Sequence, residues 1–235
     1  MKILFICSNL IGDTILSTGA IRHFIKENRN AKLTFVVGPT AAPLLVNYNN
    51  IEEVIIFKKK KFNFHWLYIF KKTFGKKWDI IIDFRSSIIS YTLINNKKYI
   101  FKKNNTRHHI EQLKENFGFN CSNLNIPTSP QEQKNANKHI GNSNMHIVIF
   151  PGGNWTPKLW SSKNYNFLMR SILNNFSKTK FILVGSIIEK NKFINDLKIN
   201  IKEENIIDLF GASLTMTSAY MSKSNLFIGN DSGLM

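Results

Sequence analysis

Residues 2–38 read KILFICSNLIGDTILSTGAIRHFIKENRNAKLTFVVG. KILFIC (2–7) is a short apolar run closed by the polar turn SNLIGD, the pattern of a strand buried on both faces. From Asp13 to Lys26 the apolar positions Ile15, Leu16, Ala20, Ile21 and Phe24 recur at helical spacing, with Asp13 or Thr14 as the cap. LTFVVG (33–38) is a second strand. Strand, helix and strand in that order open a parallel sheet, because a crossover helix is what joins parallel neighbours.

The alternation continues outward from this stretch. Pro43–Tyr48 reads as helical, Val54–Phe57 as a strand, and a Lys-rich helix follows. Asp79–Phe84 (DIIIDF) is a strong strand, Ser86–Leu93 a helix, and Glu111–Phe117 a helix closed by Gly118. Residues 120–144 are rich in Asn, Ser, Pro, Gln and Lys and read as a linker. The pattern then restarts. Strands are expected at His146–Phe150, Phe181–Val184, Ile206–Asp208 and Leu226–Ile228, with helices at Asn164–Asn175, Ile187–Leu197 and Ser213–Met221. The fold class is α/β with two parallel-sheet units, residues 1–140 and 145–235, joined by the linker at about 120–144.

Composition narrows what these units can be. The chain has 235 residues, 43% of them hydrophobic and 20% charged, which is enough apolar material for packed cores and excludes wholesale disorder. The net charge is +17, and residues 58–107 carry most of it: 14 Lys and Arg face only Asp79 and Asp83. Such a local basic surface suits nucleic acid, an anionic membrane or a phosphorylated substrate. Cys7 and Cys121 are too few for a disulfide framework or a zinc site of their own, which fits a reducing compartment. The apolar run at Ile3–Cys7 is too short for a signal-peptide core, and no stretch approaches the length of a membrane span.

Four constellations carry chemistry. Gly12-Asp13 follows the first strand, where ligands of open α/β sheets bind. Asp13 is either a general base for a substrate hydroxyl or a plain helix cap. PGGNWTPKLW (151–160) joins a strand to a helix through Gly152, Gly153 and Asn154, with Lys158 ahead of the helix, and suits an anion. Gly229-Asn230-Asp231-Ser232-Gly233 offers N–H groups and a carboxylate at another strand end, while Glu189 follows the turn at Gly185. Each has an ordinary reading as a loop or surface residue. KKKKFNFHWLYIFKKTFGKKW (58–78) holds eight Lys, seven aromatics and no acid. Trp66, Ile69, Phe70, Thr73 and Phe74 share one helical face, so this segment either lies on an anionic membrane or covers the sheet with its lysines in solvent. Arg107, His108 and His109 form a basic triplet, but adjacent histidines do not share a helix face and a metal pair is not expected. Dinucleotide, Walker A, zinc-protease, nucleophile-elbow and nucleic-acid-binding signatures are missing.

Taken in order, these motifs resemble glycosyltransferase family 9, the lipopolysaccharide heptosyltransferases. KILFICSNLIGDTILSTGAIRHF resembles the family's opening strand, Gly-Asp turn and helix rich in small residues. WDIIIDFRSS resembles its strand before the mid-domain helix, and PGGNWTPKLWSSKNY its small-residue loop and Lys-x-Trp segment. FILVGSIIEK resembles its Gly-xxx-Glu turn, and FIGNDSGLM its Asp-Ser/Thr-Gly-x-x-His turn. Two departures stand out. Cys7 occupies a position where the family often has a basic residue, and the His of the last motif would follow Met235.

The resemblance implies a GT-B-like fold of two Rossmann-like domains, the second incomplete at Met235. It implies inverting, metal-independent transfer of a heptose from an ADP-activated donor to the lipid A–Kdo inner core, with no cofactor. Asp13 would be the catalytic base. Gly12, Gly153, Asn154, Lys158, Glu189, Asp231, Ser232 and Gly233 would bind the donor, Lys158 at the diphosphate and Glu189 at the ribose. Lys60, Lys61 and Arg107 would meet acceptor phosphates. The partners implied are the nucleotide sugar, a phosphorylated lipid acceptor and the anionic inner face of the inner membrane, with a cytoplasmic, peripheral location and no nucleic acid. The competing reading is a basic α/β domain that binds nucleic acid or membrane without catalysis; it leaves the strand-end motifs unexplained.

Overall fold

The computed structural model describes residues 1–58, 64–104, 106–140, 145–153 and 156–230. The chain forms two compact units, Met1–Pro127 and Thr128–Met235.

The first unit is built from β1 (Lys2–Ile6), α1 (Ile11–Glu27), β2 (Lys32–Val37), β3 (Ile51–Ile56), α2 (His65–Thr73), β4 (Trp78–Asp83), α3 (Ile89–Thr92), β5 (Asn95–Ile100) and α4 (His109–Phe117). Its strands pair in the order β3-β2-β1-β4-β5, all parallel. β1 is central, with Phe5 level with Phe35 on one side and Ile82 on the other. Ile3, Leu4, Phe5 and Ile6 are fully buried, as a strand covered on both faces must be. One face carries Leu4, Ile6, Val36, Ile55, Trp78 and Ile81 against Ile69 of α2 and Ile89 of α3. The opposite face holds an aromatic cluster in which Phe24 of α1 meets Tyr99, Phe117 and Phe119 edge to face.

The small residues of α1 have a packing cause. A Cβ on Gly19 would collide with the Cys121 carbonyl, and the Thr18 hydroxyl accepts a hydrogen bond from the Asn125 amide at 3.1 Å. The chain beyond α4 can therefore cross α1 closely. Both cysteines are buried free thiols. Burial pushes the Cys7 thiol far up, with the Asp83 charge adding to it, and pushes Cys121 up to about 11.

The second unit comprises α5 (Pro130–Ile140), β6 (Met145–Phe150), α6 (Ser162–Asn175), β7 (Thr179–Gly185), α7 (Ile187–Leu197), β8 (Ile206–Phe210), α8 (Leu214–Met221) and β9 (Leu226–Gly229). Its parallel order is β8-β7-β6-β9, which repeats the winding of the first four strands of unit one. Ile147, Ile149, Phe181 and Leu183 face Tyr165, Met169, Phe193 and Leu197 of α6 and α7. Val148, Phe150, Ile182 and Val184 face Ala136, Ile140, Ala219 and Tyr220 of α5 and α8.

Four expectations need correction. The segment read as linker contains α5, and the division between units falls before it, after Pro127. α5 buries only Ala136 and Ile140, so its sequence is almost wholly polar; polar bonds to α8 hold it instead. β5 (NNKKYI) was not expected as a strand. It is an edge strand, and its exposed lysines blunt the unpaired side. The helix expected over Ser86–Leu93 shrinks to Ile89–Thr92, because the buried Asp83 carboxylate organises the preceding residues as a loop. Finally, Asp13 and Thr14 do not cap α1, which starts earlier with Leu10 at the cap position.

Candidate functional site

In unit one the chain leaves β1 towards β2 and later returns through β4 on the other side of β1. The loops after β1 and β4 consequently diverge and leave a crevice at the strands' carboxyl ends, where ligands of such sheets sit. A cavity of about 210 Å³ occupies that place, lined by Ser8, Asp13 and Ser17, by Phe84, Arg85 and Ser86, and by Phe101, Lys103 and His109.

Asp13 lies in the first turn of α1, half-buried. The Ser8 hydroxyl donates to its Oδ2 at 3.0 Å, and Ser8 is itself fixed by the Leu10 amide and the Thr14 hydroxyl. The helix N-terminus favours a negative charge there. Since Leu10 takes the cap position, the Asp13 carboxylate is left to face the cavity rather than the helix backbone.

The second wall is the loop after β4. Asp83, fully buried, accepts from the Arg85 amide at 2.7 Å, the Ser87 amide at 2.6 Å and the Ser87 hydroxyl at 2.5 Å. Ser86 has a φ of 51° and donates its hydroxyl to the Phe101 carbonyl. The Arg85 guanidinium lies 5.1 Å from the Phe57 ring centre and 5.0 Å from that of Trp66. Its Nη1 is buried without a hydrogen-bond partner among the described residues. Burial lowers the Arg85 value, with Asp83 opposing.

The third wall comes from the segment between β5 and α4. His109 begins α4 and packs 4.8 Å from the Phe101 ring. Its Nε2 is also buried without a partner among the described residues. Burial holds the imidazole below its ordinary range; the Asp13 charge pulls the other way, while Lys103 and His108 add to the lowering. One carboxylate and three basic side chains thus share the cavity.

In unit two the expected phosphate loop is held by its neighbours. The Gly153 amide donates to Glu189 Oε1 at 3.0 Å, while Glu189 Oε2 accepts from the Ser186 amide at 2.7 Å and its hydroxyl at 2.9 Å. Glu189 is therefore both the capping-box residue of α7 and the tie between two strand-end loops. A Cβ on Gly152 would strike that carboxylate, which explains the glycine. Lys158 ends a short 3-10 turn, Thr156–Lys158, before α6. Asn230, buried, donates to the Pro151 and Gly152 carbonyls at 2.8 and 3.2 Å and accepts from the Trp160 amide and the Tyr165 hydroxyl. It fixes the Pro-Gly-Gly turn.

The sequence-expected residues thus separate. Asp13 and its neighbour Gly12 sit at the unit-one crevice, whereas Gly153, Lys158 and Glu189 gather at the strand ends of unit two. Arg107 is not in the cavity lining; it is exposed and paired with Glu115. Asn154, Lys60, Lys61, Asp231, Ser232 and Gly233 lie outside the described residues. Sequence reasoning missed Ser8, Arg85, Lys103, His109 and Asn230. Of these, His109 was in view through the basic triplet at 107–109.

Residues 85–235 match the sequence model of glycosyltransferase family 9 (heptosyltransferase). No curated protein matches the chain. Among solved structures, a glycosyl transferase family 9 protein from Veillonella parvula DSM 2008 superposes with a TM-score of 0.75 at 18% identity, covering 100% of this chain and 77% of that one. E. coli ADP-heptose LPS heptosyltransferase II gives 0.68 at 18% identity, covering 100% and 80%. E. coli heptosyltransferase WaaC with ADP-2-deoxy-2-fluoro heptose gives 0.72 at 14% identity, covering 100% and 84%. At these identities the likeness shows the fold, a GT-B-like pair of Rossmann-like sheets.

Proposed function

The chain belongs to glycosyltransferase family 9, and from that premise we propose that it moves a heptose from an ADP-activated donor to a hydroxyl of the lipid A–Kdo inner core. The observation that carries this reading is the Asp13 carboxylate, held by Ser8 at the carboxyl end of the central strand and open to a basic cavity. Asp13 takes the proton of the acceptor hydroxyl while its oxygen forms a bond to the anomeric carbon. The bond from that carbon to the diphosphate breaks, its electron pair leaving on ADP. One displacement from the opposite face inverts the anomeric configuration and requires no metal.

The donor belongs with unit two in this reading. Lys158 faces the charge that builds on the diphosphate as the sugar leaves. Gly153 and Asn154, with Asp231, Ser232 and Gly233, line the phosphate and nucleoside, and Gly12 borders the transferred sugar. Glu189 has three hydrogen bonds to its two oxygens, which leaves capacity for a ribose hydroxyl. Lys60, Lys61 and Arg107 serve acceptor phosphates. Attachment to the cytoplasmic face of the inner membrane is part of the proposal. The proposed contact is peripheral; no helix among the described residues is long and apolar enough to cross a membrane.

Calorimetric titration with ADP and ADP-heptose tests the donor half. Saturable binding is expected, weakened about tenfold in Lys158→Ala by loss of one charge-assisted contact. Absence of binding at millimolar ligand would remove the proposal.

A further inference from the structure

The cavity beside Asp13 gathers more side-chain nitrogens than a hydroxyl and its base require. Arg85 arrives from the loop after β4 and His109 from the start of α4, yet both line the same cavity, and each leaves a buried nitrogen without a partner among the described residues. Buried donors are normally paired, because leaving them unmade forfeits their hydration without return. Neither can turn readily to a neighbour. The Arg85 guanidinium lies against both the Phe57 and Trp66 rings, and the His109 ring packs on Phe101. Asp83, the acid nearest Arg85 in sequence, already spends its oxygens on two backbone amides and a hydroxyl. Ser86, between Arg85 and Ser87, is held in the left-handed region at φ 51°, a conformation retained where the surroundings over-determine it.

We propose that Arg85 and His109 form a seat for an oxyanion of the acceptor, a carboxylate or a phosphate, next to the hydroxyl that Asp13 deprotonates. The guanidinium gives the bound oxygens a planar donor and a fixed charge, and the imidazole gives a second donor from the opposite wall. Lys103 adds charge at the rim. The seat discriminates between acceptors, since a neutral one leaves both nitrogens unpaired. This inference deepens the acceptor half of the proposed function and rests on it.

The test is a proton NMR titration of the whole chain with inorganic phosphate and, separately, with acetate. The His109 ring signal, identified by its loss in His109→Phe, is the readout. Saturable movement of that signal with either anion is expected, and the anion that moves it at lower concentration names the group. In Arg85→Met the same titration should need roughly tenfold more anion. Far-ultraviolet circular dichroism checks that each variant is folded. His109→Phe gives a second route: KM for the lipid acceptor should rise at least severalfold while ADP affinity stays unchanged. A His109 signal that does not saturate with either anion overturns the seat. So does an Arg85→Met response equal to wild type, or a His109→Phe enzyme with unchanged acceptor KM. Because the anion titration needs neither ADP nor transfer, its failure is distinct from failure of the transferase reading.

Discussion

Ser8 and Asp13 stand five residues apart, and a β1–α1 turn of this shape puts the hydroxyl of one on the carboxylate of the other. That contact made Asp13 partly legible from sequence, since a Gly-Asp turn after a buried strand points at the crevice. Arg85 and His109 were not legible, because their meaning comes from the sheet order β1-β4-β5, which brings three distant loops together. Within the triplet 107–109 the chemistry looks interchangeable; only the start of α4 at His109 turns that ring inward while Arg107 pairs outward with Glu115. Glu132 offers a sharper residue-scale test. Burial alone would raise its value, but hydrogen bonds from Thr215, Ser129 and Ser213 together hold it below the ordinary 4.5. A carboxyl lowered by folding contributes stability that is fully present above its unfolded value and is lost as pH falls through the folded one. Glu132→Gln should therefore melt below wild type at pH 7, and the gap should close as the pH drops below about 4.5. Thermal denaturation at several pH values measures this, and a gap independent of pH would contradict it.

At the scale of elements, long apolar strands and amphipathic helices were readable, and weakly apolar ones were not. β1, β6 and α7 announce themselves by runs or periodicity, whereas β5 and α5 owe their structure to position. β5 is recruited by pairing to β4, and α5 by polar bonds to α8, neither of which leaves a periodic trace. α2 bears on the two readings of residues 58–78, a sheet-covering helix and a membrane-facing one. Ile69 and Thr73 are fully buried, with Trp66 and Phe70 packed on the core, so the helix does cover the sheet. Phe74, expected on that face, is exposed instead, because it lies just past the helix in extended backbone. The outer side presents Phe64, Leu67 and Phe74, and the neighbouring loop presents Ile88 at 82% exposure. Leu67 and Ile88 border one apolar groove. Apolar side chains among lysines suit the interface of an anionic bilayer. Sedimentation with anionic vesicles should capture the wild type, and the double change Leu67→Glu, Ile88→Glu should release most of it. Equal capture of both would place the membrane contact elsewhere.

Across the whole molecule, two parallel sheets with the same initial winding each gather candidate residues at their strand ends, as open α/β sheets do. The fold class and the order of the motifs were readable because alternating strands and helices leave a strong signal. The unit boundary was not, because the segment that starts unit two is polar. The concentration of charge in residues 58–107 also acquires a partial structural sense. Arg85 and Lys103 turn into the cavity, while Lys72 and Lys76 pair with Glu53 and Lys98 covers the Tyr91 ring. The proposed function makes Asp13 the group that activates the acceptor. The most direct measurement is heptose transfer from ADP-heptose to a lipid A–Kdo acceptor by wild type and Asp13→Asn, with ADP affinity measured on both. Loss of the base should lower kcat by about 10²- to 10⁴-fold and leave ADP binding unchanged. An Asp13→Asn protein that transfers at the wild-type rate would contradict the account.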